Sequence, residues 1–313
     1  MDRFEAASDQ EGLARGRATI ASLQLETGEL DLAEAGILQS IEYCRAAGDL
    51  RRLSHSIGNL AILRDVQGKY DEAARVFSEA IQLFQELGDK MGEAIARANF
   101  SGLLSGLARY DDARAELLRA LATHRETGNR FSEGIVVGML GFLAYEQKDL
   151  AAAERHHRLA IEIAESVNNL PSLGRELGNL ANVYADLSRF DEAEQCYEKS
   201  LAIHRRTGHR RSEAVTIGGL ASLQLQRGNL KEAQQLLRTA LEIDEATQNR
   251  RPEGFHRCEL AVCLLKHCDQ AGARESWRKG IAILREMGEV LAAQEKLKEM
   301  SAACCEAGIT PFE

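Results

Sequence analysis

Long apolar runs are missing from this sequence. Nowhere do 18 apolar residues stand together, and the opening stretch MDRFEAASDQEG lacks the apolar core of a secretory leader. Neither a membrane span nor a signal peptide is expected, and the expected location is cytoplasmic. Proline is scarce, with three in 313 residues, so helices can run without interruption. Aromatic residues make up only 5% and tryptophan occurs once, too few for the stacking surfaces that single-stranded nucleic acid requires. A basic excess is lacking too. Lys and Arg number 39 against 48 Asp and Glu, and a net charge of −9 argues against a chain whose main task is to neutralise phosphates. Seven cysteines at irregular spacing give no disulfide framework and read as free thiols in a reducing compartment. No nucleophile elbow, His-Glu-x-x-His pair, Walker loop or Rossmann glycine pattern occurs. The chain is therefore expected to carry no catalytic residue, no cofactor and no metal, and not to be an enzyme.

What the sequence does have is a period. Shifted by 40, it aligns Ala33, Ala73, Ala113, Ala153, Ala193, Ala233 and Ala273. With 45 alanines in the chain, seven hits in one such column arise by chance roughly once in a million. A second column, Ile20, Leu60, Phe100, Leu140, Leu180, Leu220 and Leu260, is large and apolar, and each member precedes a small residue. A third, Ser40, Ala80, Ala120, Ala160, Ser200, Ala240 and Gly280, is small throughout. Seven repeats result, 11–50, 51–90, 91–130, 131–170, 171–210, 211–250 and 251–290, followed by a capping helix over 291–308, with tails at 1–10 and 309–313.

Within one repeat the apolar residues recur at three and four, as in Ile57, Leu60, Ala61 and then Ala73, Val76, Phe77, Ala80, Ile81. Each repeat is thus two helices, and the fold class is all-α. Gly28, Gly68 and Gly228 mark the turn inside a repeat, and Gly48, Gly88, Gly128, Gly208 and Gly288 the turn between repeats. Asp49, Asp89, Asn129, Asn169 and Asn249 stand where they can cap the helix that follows, and Glu93, Glu133, Glu213 and Glu253 lie near its positive end. Pro171 and Pro252 fall in such first turns. Small residues at fixed positions let every helix pair approach to the same distance, and identical joints stack with one lengthwise core and no separate domains.

These columns resemble the tetratricopeptide repeat (TPR) family. The spacing from Ile57 through Leu60, Ala61, Ala73, Phe77 and Ala80 matches its signature, and GKYDEA at 68–73, ARYDDA at 108 and SRFDEA at 188 are similar to its inter-helix turn. The 40-residue unit is similar to the long-repeat branch found in polarity adaptors, kinesin light chains and bacterial regulatory proteins. That resemblance implies a right-handed superhelical solenoid of seven helix-turn-helix units. It also implies binding of protein segments in an inner groove lined by the first helix of each repeat. Two repeats depart from the pattern: His157 takes an aromatic position in the fourth, and Cys268, Asp269 and Gln270 replace the turn in the seventh. Both are expected to be looser.

On that resemblance the groove columns are Arg15 and Thr19, His55 and Asn59, Ile95 and Asn99, Ile135 and Met139, Arg175 and Asn179, Val215 and Gly219, Phe255 and Glu259. Asn59, Asn99 and Asn179 share a column, and a carboxamide both donates to and accepts from an extended peptide backbone. The carboxylate clamp of chaperone-binding relatives is incomplete, since His55, Asn59 and Asn99 are followed by Ile135 and Met139. Phe142 stands one turn beyond Met139, so the middle of the groove reads as an apolar floor between Asn59/Asn99 and Asn179/Asn182. Against this, Met139 and Phe142 read equally well as inter-repeat core.

The densest basic cluster, HRRTGHRRS at 204–212, offers Arg205, Arg206, Arg210 and Arg211 as a basic edge for phosphate or acidic peptide, or as helix-end charges answering the macrodipole. Cys258, Cys263 and Cys268 with His256 and His267 nearby do not make a zinc site. Five residues turn a helix by about 140°, which spreads the thiols around it. The partner expected is a protein or peptide segment, with no membrane, with nucleic acid disfavoured, and with the chain a monomer or homodimer. The preferred reading is a noncatalytic scaffold binding a peptide or helix in its concave groove. The alternative is a sensory or oligomerising module of a bacterial regulatory system, as a signal-peptide receptor or as part of a larger kinase or ATPase regulator, with its own C-terminal helix filling the groove.

Overall fold

The computed structural model describes residues 29–312 together with the isolated positions 12, 16, 20 and 24. Arg15, Thr19 and the tail 1–10 lie outside the described residues. Among the described residues there are fourteen α-helices in chain order and no strand. They fall into two compact units, Met1–Gln147 and Lys148–Glu313, so the fourth predicted repeat gives one helix to each. The first unit holds α1 (Leu30–Ala47), α2 (Leu50–Val66), α3 (Tyr70–Glu86), α4 (Lys90–Gly106), α5 (Tyr110–Glu126) and α6 (Arg130–Glu146). The second holds α7 (Leu150–Ser166), α8 (Leu170–Asp186), α9 (Phe190–Thr207), α10 (Arg210–Gln226), α11 (Leu230–Thr247), α12 (Arg250–Lys266), α13 (Gln270–Glu286) and α14 (Val290–Glu306).

In each unit every helix packs on the one before it. Helix starts recur every 20 residues from Leu30 to Val290, because the turn between helices is the same object each time. At each turn the residue ending in 8 has positive φ and closes the helix in the left-handed conformation. Gly fills that place at 48, 68, 88, 128, 208, 228, 288 and 308, whereas Ala108, Lys148, Asn168, Ser188, Gln248 and Cys268 adopt it without glycine's freedom.

Side-chain caps follow at Asp49, Asp89, Asn129 and Asn169, each accepting from the backbone N–H three residues on. Asp149 and Asp269 cap in the same way. Asn249 does not: its amide instead donates to Asp244 Oδ1 at 2.9 Å. The Cys268–Gln270 turn, expected to be looser, keeps the common geometry, with Asp269 Oδ1 2.9 Å from the Gly272 amide.

All seven column alanines, Ala33 to Ala273, are fully buried. Around them the core breaks into clusters. One joins Ile37, Ile41, Ile57 and Phe84 in the first unit, and another joins Leu237, Cys258, Leu264, Trp277, Ile281 and Met300 in the second. His157 replaces an aromatic ring in this core and is itself buried, with Nδ1 2.8 Å from Glu176 Oε2. α14 packs on both α12 and α13, and Phe312 beyond it joins the same cluster, with the Arg274 guanidinium 4.8 Å from its ring centre.

Candidate functional site

In the second unit the first helix of each pair touches the first helix of the next: α8 meets α10, α10 meets α12, and α12 meets α14. On this row a pocket of about 410 Å³ opens. Arg175, Asn179 and Asn182 reach it from α8, Val215, Gly219 and Ser222 from α10, and Phe255 and Glu259 from α12. Residues three and four apart share a helix face, which is why one column pattern lines one surface. Of the residues singled out from the sequence as groove-lining, the structure thus gathers those of three successive pairs around a single cavity.

Other residues of the pocket escaped the sequence reading, among them Tyr197, His204, Thr216, Gly218 and His256. Their signal was the adjacent pair Gly218–Gly219 inside α10. Glycine in a helix interior costs about 1 kcal/mol against alanine, so a pair of them marks a close approach. A Cβ on Gly218 would fall 2.0 Å from His256 Nε2, and one on Gly219 would fall 2.7 Å from Tyr197 Cε1. Both rings lean on bare backbone.

Under the pocket, His256 Nδ1 lies 2.6 Å from Asp244 Oδ2. A carboxylate only accepts, so the imidazole proton is held on Nδ1 and Nε2 faces Gly218. The Tyr197 hydroxyl donates to Asn182 Oδ1, which commits that oxygen and orients the amide N–H groups as donors. Ser222 Oγ donates to Glu259 Oε2 at 2.8 Å, and Lys296 Nζ stands 3.5 Å from Glu259 Oε1 and 2.9 Å from Glu299. Burial of Lys296 works against its charge, but those two carboxylates outweigh it and raise its pKa. Arg175 Nε donates to Glu176 Oε1 at 2.9 Å. Burial would raise the Glu176 pKa, and the His157 hydrogen bond with the Arg175 charge holds it below the usual carboxylate value.

The first-unit residues are placed differently. α2 and α4 are neighbours, and His55 is exposed with its ring edge-on to Phe84 at 5.0 Å. Asn59 is half-buried and Asn99 exposed. On α6, Ile135 and Met139 are half-buried, and Phe142 is 50% exposed, which removes it from the core reading. The Asn59/Asn99 and Asn179/Asn182 sets expected to flank an apolar floor belong to different units. The pocket itself belongs to the second.

The basic cluster is largely answered from within. Arg205 Nε lies 3.0 Å from Glu213 Oε1, and Arg210 pairs with the other oxygen of the same buried carboxylate. Arg125 and Arg130 clasp Glu133 in the same manner one pair of repeats earlier, at 3.0 and 2.7 Å. Arg206 is exposed. Arg211 turns to the pocket, donating from Nε and the terminal nitrogen to the Thr247 carbonyl at 3.2 and 3.0 Å. Instead of a continuous basic edge there is one guanidinium at the cavity and two bound in an ion-pair clasp. The seven thiols are all free, Cys258 and Cys263 buried and Cys268 exposed, and no His, Cys, Asp and Glu cluster able to hold a metal ion occurs among the described residues.

A row of consecutive helix pairs with an open pocket on its first helices defines a helical-repeat fold. Tetratricopeptide repeat models match residues 55–126, 138–172 and 176–246, together more than half of the chain, and the chain belongs to the tetratricopeptide repeat family. No curated protein sequence matches it. Among solved structures it is similar to a Rap protein complexed with competence and sporulation factor, with TM-score 0.71 and 14% identity over 87% of this chain and 75% of that one. The apo form of RapI gives TM-score 0.69 and 16% identity over 88% and 99%. The signal transduction ATPase with numerous domains from Pyrococcus horikoshii, a protein with a tetratricopeptide repeat sensor, gives 0.67 and 14% over 92% and 45%. At such identities the likeness concerns the fold alone. No described helix is long and apolar enough to cross a membrane.

Proposed function

We propose that this chain is a noncatalytic interaction module that receives a peptide or helix of a partner protein in the pocket on α8, α10 and α12. The pocket is the observation that carries the reading. It is concave, open, and lined by apolar Val215 and Phe255 beside the amides of Asn179 and Asn182, the mixture that orients a chain by its backbone while docking its side chains. All the lining residues but Asn249 stand on helices, which suits recognition of a preformed shape. A Rap protein of the same fold was solved with competence and sporulation factor, and the Pyrococcus protein carries its repeats as a sensor; these support a regulatory setting. Occupation by the chain's own last helix is not the arrangement found, because α14 continues the row and none of its residues lines the pocket. Noncatalytic character is part of the proposal.

Capture of a partner from native lysate, compared with Gly219→Trp, tests the reading. The indole would displace Tyr197 and fill the cavity. One enriched protein that the variant loses, while its helical circular dichroism stays unchanged, is the expected result. Equal capture by a helical variant would overturn the assignment of the site.

A further inference from the structure

We infer that the first unit carries a docking site of its own, a cleft between the α2–α3 turn and α4 that takes an arginine side chain of a partner protein, paired to Asp65 and laid against Tyr70. It goes beyond the second-unit pocket and does not depend on it. The cleft measures about 230 Å³ and is lined by Asp65 and Val66 at the end of α2, Tyr70 at the start of α3, and Gly102, Leu103 and Gly106 on α4. Small-molecule sites run from about 300 Å³ upward, so this smaller volume suits a single extended side chain.

Asp65 is a carboxylate without a partner. Among the described residues of the first unit eight Asp and Glu are withdrawn from full exposure, and seven of them lie within 4 Å of an arginine. Asp65 is the eighth, half-buried, with neither a hydrogen bond nor an ion pair from its side chain. Arg64 beside it is held by Glu34 and Glu72, at 2.8 Å each, and does not turn to it. Burial raises the Asp65 pKa with no cation to oppose it. Forty-residue steps from Asp65 lead to Ser105, Tyr145, Ala185, Leu225, Leu265 and Cys305, none of them charged at neutral pH, and Ala185 and Leu265 are buried. The repeat therefore makes this an apolar place, where an unpaired carboxylate serves no packing need.

The rest of the cleft suits what would pair with it. Gly102 and Gly106 stand where neighbouring repeats carry Ile62 and Val66 or Phe142 and Glu146, and a Cβ on either glycine would meet nothing within 4 Å. No close approach within the chain demands them, and they leave room beside the carboxylate. Val66 and Tyr70 are 56% and 48% exposed, an apolar wall and an aromatic ring open to a visitor. A guanidinium matches this set better than an ammonium, because it is more weakly hydrated, stacks on aromatic rings and bonds a carboxylate through two N–H groups. The chain itself shows the grouping elsewhere: the Arg189 guanidinium lies 4.2 Å from the Tyr184 ring centre while pairing with Glu154 at 3.0 Å. At the cleft the carboxylate and the ring are present and the guanidinium is left to the partner.

The test uses the full 313-residue chain and fluorescein-labelled random peptide libraries with one position fixed as arginine or as citrulline, its uncharged isostere. Titration by anisotropy in about 0.15 M salt screens the overall charge of the chain beyond about 8 Å. The arginine set is expected to bind about tenfold tighter than the citrulline set, the scale of a charge-assisted hydrogen bond. Asp65→Asn, and separately Gly106→Leu to fill the cleft, should each bring the arginine set down to the citrulline level with helicity unchanged. Gly219→Trp in the second unit should leave the preference intact, and its loss there would assign the cation to the other pocket and overturn this site. Equal binding of the two libraries, binding by neither, or a preference that survives Asp65→Asn would overturn it as well. Asp65-dependent binding of fluorescein-labelled spermidine, with no arginine preference among the peptides, would make a free polyamine the occupant and overturn the partner side chain.

Discussion

His256 and Asp244 form a buried donor–acceptor pair beneath the second-unit pocket, 2.6 Å apart, and the imidazole can lie there only because Gly218 leaves room for Nε2. Asp244 has both oxygens occupied, by His256 and by Asn249. Asp244→Ala would strand the buried His256 donor and the half-buried Asn249 amide, at a cost of about 2 kcal/mol. Urea unfolding should show the loss directly, with Asp244→Asn milder because one acceptor survives. An Ala variant within about 0.5 kcal/mol of the wild type would mean that water serves these donors as well as the carboxylate does.

The turn residues give a prediction of opposite signs at equivalent places. Ala108 and Gly208 both close a helix with positive φ, at 56° and 72°. An L residue with a Cβ pays about 1–2 kcal/mol for that conformation. Ala108→Gly is therefore expected to stabilise the chain and Gly208→Ala to destabilise it, each by about 1 kcal/mol after the greater freedom of unfolded glycine is counted. Parallel urea titrations check both. Effects of the same sign would show that the conformation is not the controlling factor.

The helices were legible because their determinants are local and repeated. The alanine column, the turn glycines and the capping Asp and Asn residues each act within a few residues of where they stand. Turns without glycine, such as Gln248 and Cys268, escaped that reading, since the neighbouring helices and not the residue impose the left-handed conformation. Of the site, the face was legible and the cavity was not. Arg175, Asn179 and Asn182 share a helix face by spacing alone, but the depth of the pocket depends on Tyr197 and His256 arriving from other helices. Asn249 shows the same limit, for it has the sequence position of a cap and gives its amide to Asp244. The Arg205–Glu213–Arg210 clasp likewise joins residues whose charges, read along the chain, left a basic edge and solvated helix-end charges as alternatives.

Acid should weaken the fold through two histidines before the ion-paired carboxylates titrate. His124 and His204 are buried with Nδ1 unpartnered. Burial lowers the pKa of both, helped at His204 by the nearby His209 charge. In the unfolded chain these imidazoles take up protons below about 6.5, while in the folded chain they resist until a lower pH. The unfolded state then binds more protons, so stability is whole above that value and falls as pH drops from it toward the folded pKa. Urea midpoints measured from pH 8 to pH 5 should decline. His124→Leu with His204→Leu, which copies the buried Leu284 of the corresponding position, should flatten the decline. An unchanged slope in the double variant would assign the acid sensitivity elsewhere.

The alanine column makes the sharpest claim about packing. Ala193 on α9 has no exposed surface, as have its six counterparts, and Ala151 on α7 is exposed. If the column sets how closely neighbouring helices approach, three added carbons at Ala193 must push them apart or force strained rotamers, at a cost of about 1–3 kcal/mol. The same atoms at Ala151 meet solvent and change little, because leucine and alanine are both good helix formers. Ala193→Leu is therefore expected to lower the urea midpoint well below that of Ala151→Leu. Equal midpoints for the two variants would show that the joint tolerates a larger residue, and that the recurrence of alanine reflects helix propensity and not the distance between helices.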